Sequence, residues 1–367
     1  MSLSETDARI ALNSLPGIGV NNFHNLIKGL ESAVLVFSND AARLREVDGI
    51  GPKTAEQIKS CSPQKVADSE KIRADKKNIR IMTLGDEDYP ANLKTLFFSP
   101  PVLYIAGEIT EEDGLALGIV GTRRATPYGR ILTENLAATL AAKGLTIVSG
   151  LARGVDTFAH NAALNAGGRT IAVLGCGLDN CYPPENRRLF EKITENGAVV
   201  SQFPFGTEPE KRNFPVRNRI ITGLALGLLV IEAGEKSGAL ISAYAALEEG
   251  RELFAVPGRA DSPQSAGTNR LIQKGAKLVT CADDVIEEFI PGVRELLAND
   301  DARKGEKAPL SGEEEKLLSL LTESEKHVDY LIEKSGFASG VVLGLLLELE
   351  IKGAVMQLPG KLFAKSR

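Results

Sequence analysis

From residue 115 onward, short apolar runs alternate with stretches whose apolar residues recur at helical spacing. The runs that predict β-strands are 115–121, 145–149, 169–175, 198–203, 227–233, 252–257 and 277–281. Near-continuous apolar strands separated by single helices are typical of a parallel sheet that is covered on both faces. The pattern therefore predicts a doubly wound α/β domain over 115–293, whose ligands bind beyond the carboxyl ends of the strands.

Two similar glycine turns precede this domain, Leu15–Gly19 and Val47–Gly51, and each lies between stretches of helical spacing. Such turns are typical of a helix-hairpin-helix, in which the turn and the N-terminus of the second helix approach a phosphate. A small helical domain of this kind, SAM-like in organisation, is predicted over 1–80. The second turn is followed by a helix-starting proline and a cation. The candidate backbone contacts to DNA are therefore Gly49, Gly51 and Lys53. A helical hairpin without a ligand stays open as the alternative for both turns.

Residues 81–114 are rich in turn formers and carry one basic against seven acidic side chains, which predicts a connector into the sheet domain. A polar stretch over 294–309 is predicted to be a linker. Beyond it, 310–367 shows three stretches of helical spacing and then a hairpin pattern around Pro359-Gly360, which predicts a winged-helix domain. The expected recognition helix, Ser339–Leu349, contains no Arg or Lys. That composition favours a protein-contact or structural role over duplex binding.

The composition of the 367 residues, 43% hydrophobic and 25% charged, is typical of a folded globular protein and excludes a disordered chain. The sequence does not begin with a secretion signal, and its longest apolar run is shorter than the ~18 residues of a spanning helix, so a cytoplasmic protein without membrane contact is expected. Four cysteines without a CxxC pair predict neither disulfides nor a zinc site. The net charge of −5 arises mostly in the connector, which leaves basic clusters free to act elsewhere.

Four glycine-bearing segments follow predicted strands, where a doubly wound sheet binds its ligands. They are Gly121–Arg124, Ser149–Asp156, Gly175–Gly177 and Glu232–Gly238. Small residues there let backbone N–H groups reach a phosphate, and the arginines of the first two segments add guanidinium groups that suit phosphate oxygens. The later segment Asn213–Arg219 places an aromatic ring close to two cations, which suits stacking on an unpaired base. Tight-turn glycines and a core phenylalanine are the structural alternatives.

Catalytic chemistry is not indicated. Asp156 and His160 share a helix face and are candidates either for an acid–base pair or for a structural hydrogen bond, but no nucleophile with a base accompanies them. The segment Gly234–Ser237 lacks the glycine spacing of a Walker A loop, so ATP hydrolysis is not expected. We therefore predict no catalytic residue, no metal site and no cofactor.

Several motifs follow one another along the sheet domain. They include Gly121-Thr-Arg123, Ser149-Gly-Leu-Ala-Arg-Gly154, Tyr182-Pro-Pro-Glu-Asn186, Phe214-Pro-Val-Arg-Asn-Arg219 and Phe254-Ala-Val-Pro-Gly258. In kind and order they closely resemble the motifs of the DNA-processing protein A family (DprA, also called Smf). The flanking helix-hairpin-helix and winged-helix pieces match the three-part layout of that family, whose central domain is Rossmann-like.

The resemblance implies a bacterial cytoplasmic mediator, not an enzyme, that binds and protects single-stranded DNA and loads the RecA recombinase onto it in natural transformation and competence. It also implies a homodimer formed through the Rossmann-like domain. Single-strand-binding protein is a candidate further partner. Leu240, Ile241 and Leu247 are candidates for the dimer interface, with packing in the core as the alternative. The candidate DNA contacts, from the motifs and the glycine loops together, are Gly121, Thr122, Arg123, Arg124, Ser149, Gly150, Arg153, Gly154, Asn186, Phe214, Arg217, Asn218, Arg219, Ser237 and Gly238.

Two other interpretations use the same sheet. One is a nucleotide-binding or phosphoribohydrolase-like enzyme, similar to the lysine-decarboxylase-like family, but Glu232–Gly234 lacks the Pro-Gly-Gly-x-Gly-Thr pattern of that family. The other is a partner-binding scaffold whose phosphate loops no longer function. The scaffold predicts DNA binding that is indifferent to Arg123, so charge reversal at that residue separates it from the mediator.

Overall fold

The computed structural model of the chain describes residues 3–289, 312–321, 326–351, 354–358 and 362–365. The chain divides into two compact units, Met1–Phe289 and Ile290–Arg367. The predicted linker over 294–309 lies outside the described residues.

The first unit opens with a group of short helices, which are α1 (Glu5–Asn13), α2 (Val20–Leu30), α3 (Ala33–Ser38), α4 (Ala41–Arg45), α5 (Pro52–Ser60) and α6 (Pro63–Lys76). The two predicted glycine turns join α1 to α2 and α4 to α5, so both helical hairpins are present. The two hairpins contact each other, and the Asn25 side chain of α2 donates to the Asp48 carbonyl in the second turn (3.2 Å). Phe23, Leu26 and Ile58 lie in their shared core.

A nine-stranded sheet follows, and its strands are β1 (Ile79–Thr83), β2 (Val102–Gly107), β3 (Ala116–Val120), β4 (Thr146–Ser149), β5 (Thr170–Val173), β6 (Gly197–Ser201), β7 (Gly227–Val230), β8 (Glu252–Ala255) and β9 (Lys277–Leu278). Their order across the sheet is β1-β2-β6-β5-β4-β3-β7-β8-β9. The strands from β3 to β9 pair in parallel, whereas β2 is antiparallel to both β1 and β6. All seven predicted strands are confirmed, and the sheet is mostly parallel rather than wholly so.

The two antiparallel strands were not predicted, and both reach into the segment interpreted as a connector. Turn formers and acidic residues surround them, and these signals indicate a linker when each short run is judged by itself. Alternate residues of β2 are buried on opposite faces, since Leu103 packs in the core beneath α11 and α12 while Tyr104 packs in the core that includes α6. Residues 81–114 therefore do more than connect, because they extend the sheet by two strands.

Helices cover both faces of the sheet. They are α7 (Ala91–Lys94), α8 (Pro127–Ala142), α9 (Val155–Asn165), α10 (Arg187–Glu195), α11 (Asn213–Leu224), α12 (Gly238–Glu248), α13 (Ala266–Gln273) and α14 (residues 282–289), with short 3-10 turns at Glu111–Gly114 and Pro184–Asn186. The chain passes from β3 through β4 and β5 to β6, and then returns to the other side of β3 as β7. Strand order reverses there, and the loops after β3, β4 and β7 meet at the carboxyl edge of the sheet, where doubly wound sheets bind ligands.

The second unit contains α15 (Gly312–Leu320), α16 (Val328–Ser335), α17 (Ser339–Ile351), β10 (Lys326–His327), β11 (Val355–Leu358) and β12 (Leu362–Lys365). Its strands form an antiparallel sheet in the order β10-β12-β11. Leu317, Leu331, Val342 and Phe363 are buried together in its core. Three helices and a hairpin are the predicted winged-helix elements, and the expected turn at Pro359-Gly360 lies outside the described residues.

Candidate nucleic-acid interface

Three loops at the carboxyl edge of the sheet pack backbone against backbone, and we call them the rim loops: 121–126 after β3, 150–154 after β4 and 231–237 after β7. The Thr122 amide donates to the Glu232 carbonyl (2.8 Å), and the Val155 amide donates to the Thr122 carbonyl (3.3 Å). Gly154 has φ +76°, and a Cβ there would lie 2.4 Å from the Thr122 carbonyl oxygen. Only glycine fits this position, because any side chain would separate the two loops.

The carboxylate of Glu232 is turned away from solvent and into the first rim loop. It accepts hydrogen bonds from the Thr126 amide (2.9 Å) and from the Thr126 hydroxyl (2.6 Å) at the start of α8. The side chain is buried. The acid therefore ties two rim loops together, and its charge lies near the positive end of a helix.

The rim loops and the first turns of α11 and α12 enclose a cleft of about 530 Å³, the main cleft. It is lined by Val120, Gly121, Thr122, Arg123, Arg124, Ala152, Asp156, Lys211, Phe214, Pro215, Arg217, Asn218, Ile221, Ser237, Gly238, Ala239, Ile241 and Ser242. Four of these described lining residues are cationic, and one is acidic. The balance favours an anionic ligand.

Phe214 is the aromatic centre of this surface. The guanidinium carbon of Arg123 lies 5.3 Å from its ring centroid and that of Arg217 lies 5.8 Å away, within the range of cation–π contact. The Tyr182 ring is 6.1 Å from the Phe214 ring, centroid to centroid, at a tilt of 43°. Both rings line a smaller side cleft of about 20 Å³, together with Arg123, Gly150, Ala152, Arg153, Pro183 and Arg217.

Arg217 supports the site from inside the protein. Its side chain is 4% exposed, and Nη1 donates to the Val173 carbonyl at the end of β5 (2.8 Å). A Cβ on Gly150 would lie 1.5 Å from that nitrogen, so the guanidinium occupies the space that a side chain at Gly150 would need. Burial lowers the pKa of Arg217, and the nearby Asp156 charge acts in the opposite direction. Arg217 is therefore a positioning residue beneath Phe214, and it belongs to the lining of both clefts.

Asp156 and His160 do not form an acid–base pair. The Asp156 carboxylate accepts from the Gly150 amide (3.1 Å) and the Ala152 amide (3.4 Å), while burial raises its pKa. The Thr170 hydroxyl donates to the Ile147 carbonyl (2.6 Å), so it accepts from Nδ1 of His160 (2.7 Å). Burial lowers the pKa of His160 to about 3, so the ring is neutral at physiological pH. The alternative of a structural hydrogen bond between the two side chains is not present either, because each of them bonds to other partners.

Most of the predicted contacts meet at the two clefts. Their linings include Gly121, Thr122, Arg123, Arg124, Gly150, Arg153, Phe214, Arg217, Asn218, Ser237 and Gly238. Gly154 lies behind them, in the contact between rim loops. Which of these residues contact a ligand stays a prediction, but the structure brings them to one surface.

Three predicted contacts lie elsewhere. The Ser149 side chain is fully buried and donates to the Ile119 carbonyl (2.6 Å), so only its backbone is near the rim. Asn186 is buried and donates to the Leu151 carbonyl and the Thr157 hydroxyl (both 2.8 Å), which orders the loop after β4 from behind. Arg219 pairs with Glu248 of α12 (2.9 Å) and does not line either cleft. The Ser149 and Asn186 side chains therefore support the loops from behind, and whether the exposed Arg219 contacts DNA stays a prediction.

Sequence reasoning missed Lys211, Tyr182 and Ile241 as members of the clefts. For Lys211 a signal was present, because the basic pair Lys211-Arg212 directly precedes the segment that carries Phe214. No local pattern marks Ile241, which joins the lining of the main cleft only through the packing of α11 on α12.

The predicted hairpin contacts Gly49, Gly51 and Lys53 line neither cleft. Gly51 is the N-cap of α5, has no side-chain cap and faces open space, and Lys53 is exposed. The second turn is thus accessible, and a role for it in DNA binding stays a prediction.

In the part of the chain that the structure describes, no group of three His, Cys, Asp or Glu side chains is arranged to hold a metal ion. The four cysteines are unpaired. Within the same ranges, no helix has both the length and the apolar character needed to cross a bilayer.

Comparison with known proteins decides the family. The model of the DNA recombination-mediator protein A family matches residues 80–290, and that of the DprA winged-helix domain matches residues 301–361. The chain belongs to the DprA/Smf family. Protein Smf of a Synechocystis strain is 35% identical over 98% of both chains. The DNA processing protein DprA of Bacillus subtilis is 43% identical over 58% of this chain and 71% of its own.

Solved DprA structures agree with the fold. The crystal structure of DprA from Streptococcus pneumoniae superposes with a TM-score of 0.68 at 32% identity and covers 78% of this chain and 99% of its own. A DprA from Helicobacter pylori, described for its single-stranded DNA binding mode, has a TM-score of 0.52 at 35% identity and covers 58% of this chain and 97% of its own. Membership of the DprA family, a Rossmann-like sheet and a DprA winged helix are therefore established for this chain.

Proposed function

We propose that this DprA-family protein binds single-stranded DNA at the main cleft, with Phe214 stacked on an unpaired base and Arg123, Arg124 and Lys211 on the backbone phosphates. The observation that carries the proposal is the Phe214 ring with Arg123 beside it, in a cleft whose lining is predominantly cationic. Aromatic rings beside cations are how proteins hold unpaired bases without reading sequence. The Helicobacter pylori relative, described for single-stranded DNA binding, supports the same ligand.

A duplex is a poorer fit to this arrangement. Bases in a duplex are stacked on each other, so their faces are unavailable to a ring inside a cleft unless the strand is opened, which costs free energy. The binding we propose uses stacking and phosphate contacts, and neither depends on base identity. The expected preference is for unpaired DNA with little dependence on its sequence.

The biological role we propose is that of a recombination mediator rather than an enzyme. The bound strand would be protected and passed to the RecA recombinase during natural transformation, with single-strand-binding protein as a further partner. Support comes from the family description as a DNA recombination mediator and from the motifs that resemble it. Holding and handing over a strand requires no nucleophile.

We further propose that the protein forms a homodimer through the outer face of α12. Ile241, Tyr244 and Leu247 are 49%, 42% and 53% exposed and recur every third residue along this helix. Leu240, the remaining sequence candidate, is buried in the core instead. A helix face with several large exposed apolar groups is typical of an interface between proteins.

The experiment that tests the DNA site measures the anisotropy of labelled oligo-dT and of a matched duplex across a salt series. Arg123→Glu is compared with Arg80→Glu, which makes the same charge change on β1 at the far end of the sheet order. We expect Arg123→Glu to weaken oligo-dT binding at least about tenfold and to flatten the salt dependence by about 0.7 in log–log slope per lost phosphate contact. Arg80→Glu should change both quantities much less.

A second variant separates base contacts from phosphate contacts in the same assay. Phe214→Leu should weaken oligo-dT binding about five- to tenfold without altering the salt slope, because stacking involves no counterion. The matched control is Phe158→Leu, since Phe158 also lies beneath an arginine but lines neither cleft. Binding of wild type to neither strand would reject the proposed function and make a nucleotide-ligand screen the next step.

A further inference from the structure

A charge pair at the edge of the side cleft joins the rim loop after β4 to the short turn that precedes α10. Nε of Arg153 forms a hydrogen-bonded ion pair with Glu185. Both side chains reach solvent, with exposed fractions of 57% and 51%. Their hydrogen bond raises the pKa of Arg153 and lowers the pKa of Glu185, so both are charged at neutral pH. Because exposed ion pairs contribute little to folding, this pair has no evident structural task.

The side cleft has the components of a nucleotide site but not the room. Tyr182 offers a second aromatic ring beside Phe214, and Arg153 offers a second guanidinium beside Arg123. The free volume of about 20 Å³ holds no base. The two rings lie 6.1 Å apart and tilted, which is too close for a base between them, so each ring has only its outer surface to offer.

We propose, building on the proposed function, that Arg153 and Tyr182 form a second nucleotide subsite next to Phe214, and that Glu185 occupies Arg153 until a DNA phosphate replaces it. Successive bases of the strand stack on Phe214 and Tyr182, and the phosphate between them binds Arg153. No bond is made or broken; a carboxylate is exchanged for a phosphate on one guanidinium. Glu185 thus lowers the affinity for DNA by competing with it.

The test compares two glutamate-to-glutamine variants in oligo-dT binding across a salt series. Glu185→Gln removes the competitor, while Glu191→Gln removes an equivalent charge from the Arg187–Glu191 pair on α10, outside both cleft linings. Glu185→Gln is expected to tighten binding about three- to fivefold and to steepen the log–log salt slope by up to about 0.7, since in the wild type the displaced Glu185 carboxylate takes up a cation and offsets one that the phosphate releases. Glu191→Gln is expected to change affinity less than about 1.5-fold, the effect of net charge alone.

A double-mutant cycle assigns the effect to Arg153. In an Arg153→Gln background, Glu185→Gln should no longer tighten oligo-dT binding. Tyr182→Leu, made in the wild type, tests the stacking on the second ring and should weaken binding about fivefold with an unchanged salt slope. The inference is overturned if Glu185→Gln binds no tighter than Glu191→Gln, or if its gain persists without Arg153. Either result can occur while wild type still binds oligo-dT, whereas failure of the proposed function shows as no binding by wild type at all.

Discussion

At the scale of single residues, local spacing predicts which residue types belong to the site but not the direction in which each side chain points. Phe214 and Arg217 are three residues apart on α11 and come together, whereas Arg219, two residues further, points to another side of the helix and pairs with Glu248. Their spacing in the sequence alone predicted that all three residues belong to the DNA site. The direction in which each side chain points depends on how α11 packs, which the local sequence does not encode.

Ser149 and Asn186 show the same limit. Both belong to segments that resemble a DNA-processing family, and both are buried hydrogen-bond donors to backbone carbonyls. A motif indicates that a position needs a particular residue type. It does not indicate whether that side chain contacts a ligand or supports a loop, because both tasks require a specific side chain. Burial was the missing information, and it emerges only from the complete fold.

The buried His160 gives a residue-scale prediction about pH. Its pKa is about 3 in the folded protein against an ordinary value of 6.5, so the unfolded chain takes up a proton as pH falls below 6.5 while the folded protein does not. This group therefore removes stability on acidification, by about 1.4 kcal/mol per pH unit between those two values. His160→Asn, whose amide can still donate to Thr170, should lack this contribution.

Urea unfolding at a series of pH values between neutrality and pH 5 checks the prediction. The wild-type free energy of unfolding should fall with a steeper slope than that of His160→Asn, even if the variant is less stable at pH 7. Parallel curves for the two proteins would mean that His160 is not held neutral by burial.

At the scale of elements, the sheet could be predicted because the strands from β3 to β7 are short apolar runs buried on both faces. The antiparallel strands β1 and β2 were missed because turn formers and acidic residues surround them, and β2 pairs with the distant β6, where Tyr104 lies opposite Ser201. The residues next to β2 in the sequence do not indicate which strand it pairs with. The site, in turn, could be placed at the carboxyl edge of the sheet from topology, but the side cleft depends on how three separate loops approach each other.

The contact between rim loops makes an element-scale prediction. Gly154 combines φ +76° and ψ −127°, a region that non-glycine residues hardly enter, with a neighbouring carbonyl that leaves no space for a Cβ. Gly154→Ala should destabilise the protein by about 2–4 kcal/mol and weaken oligo-dT binding, because the loops after β3 and β4 must separate.

Gly167→Ala is the matched control, since Gly167 has φ +74° in open space and tests the cost of backbone conformation alone. It should lose about 1 kcal/mol and bind DNA as wild type does. Thermal or urea unfolding and anisotropy on the same samples measure both effects. Equal losses in the two variants would show that the rim loops tolerate a wider spacing than their backbone contacts indicate.

At the scale of the whole molecule, the proposed dimer can be tested apart from the DNA site. Leu247→Glu places a charge on the exposed face of α12, and Ile131→Glu places one on α8, where Ile131 is 56% exposed. Burying a charge in an apolar interface is costly, so Leu247→Glu should shift the protein to monomers while Ile131→Glu should not.

Sedimentation velocity over a range of concentrations distinguishes the outcomes. A wild type that sediments as a monomer throughout, or a dimer that survives Leu247→Glu, would exclude this face as the interface. Ile241 is shared between α12 and the lining of the main cleft, so loss of the dimer is also expected to weaken binding of long strands that reach beyond one cleft.

The proposed function requires that an unpaired strand lies across Phe214. Photocrosslinking with oligo-dT that carries a single 5-iododeoxyuridine, followed by mass spectrometry of the digested full-length protein, tests it directly, because this base reacts with an aromatic ring on which it stacks. We expect the crosslinked peptides to contain Phe214 and, at a neighbouring position of the probe, Tyr182. Crosslinks confined to the helical hairpins or to the winged helix, with none at Phe214, would show that the strand does not bind at the main cleft.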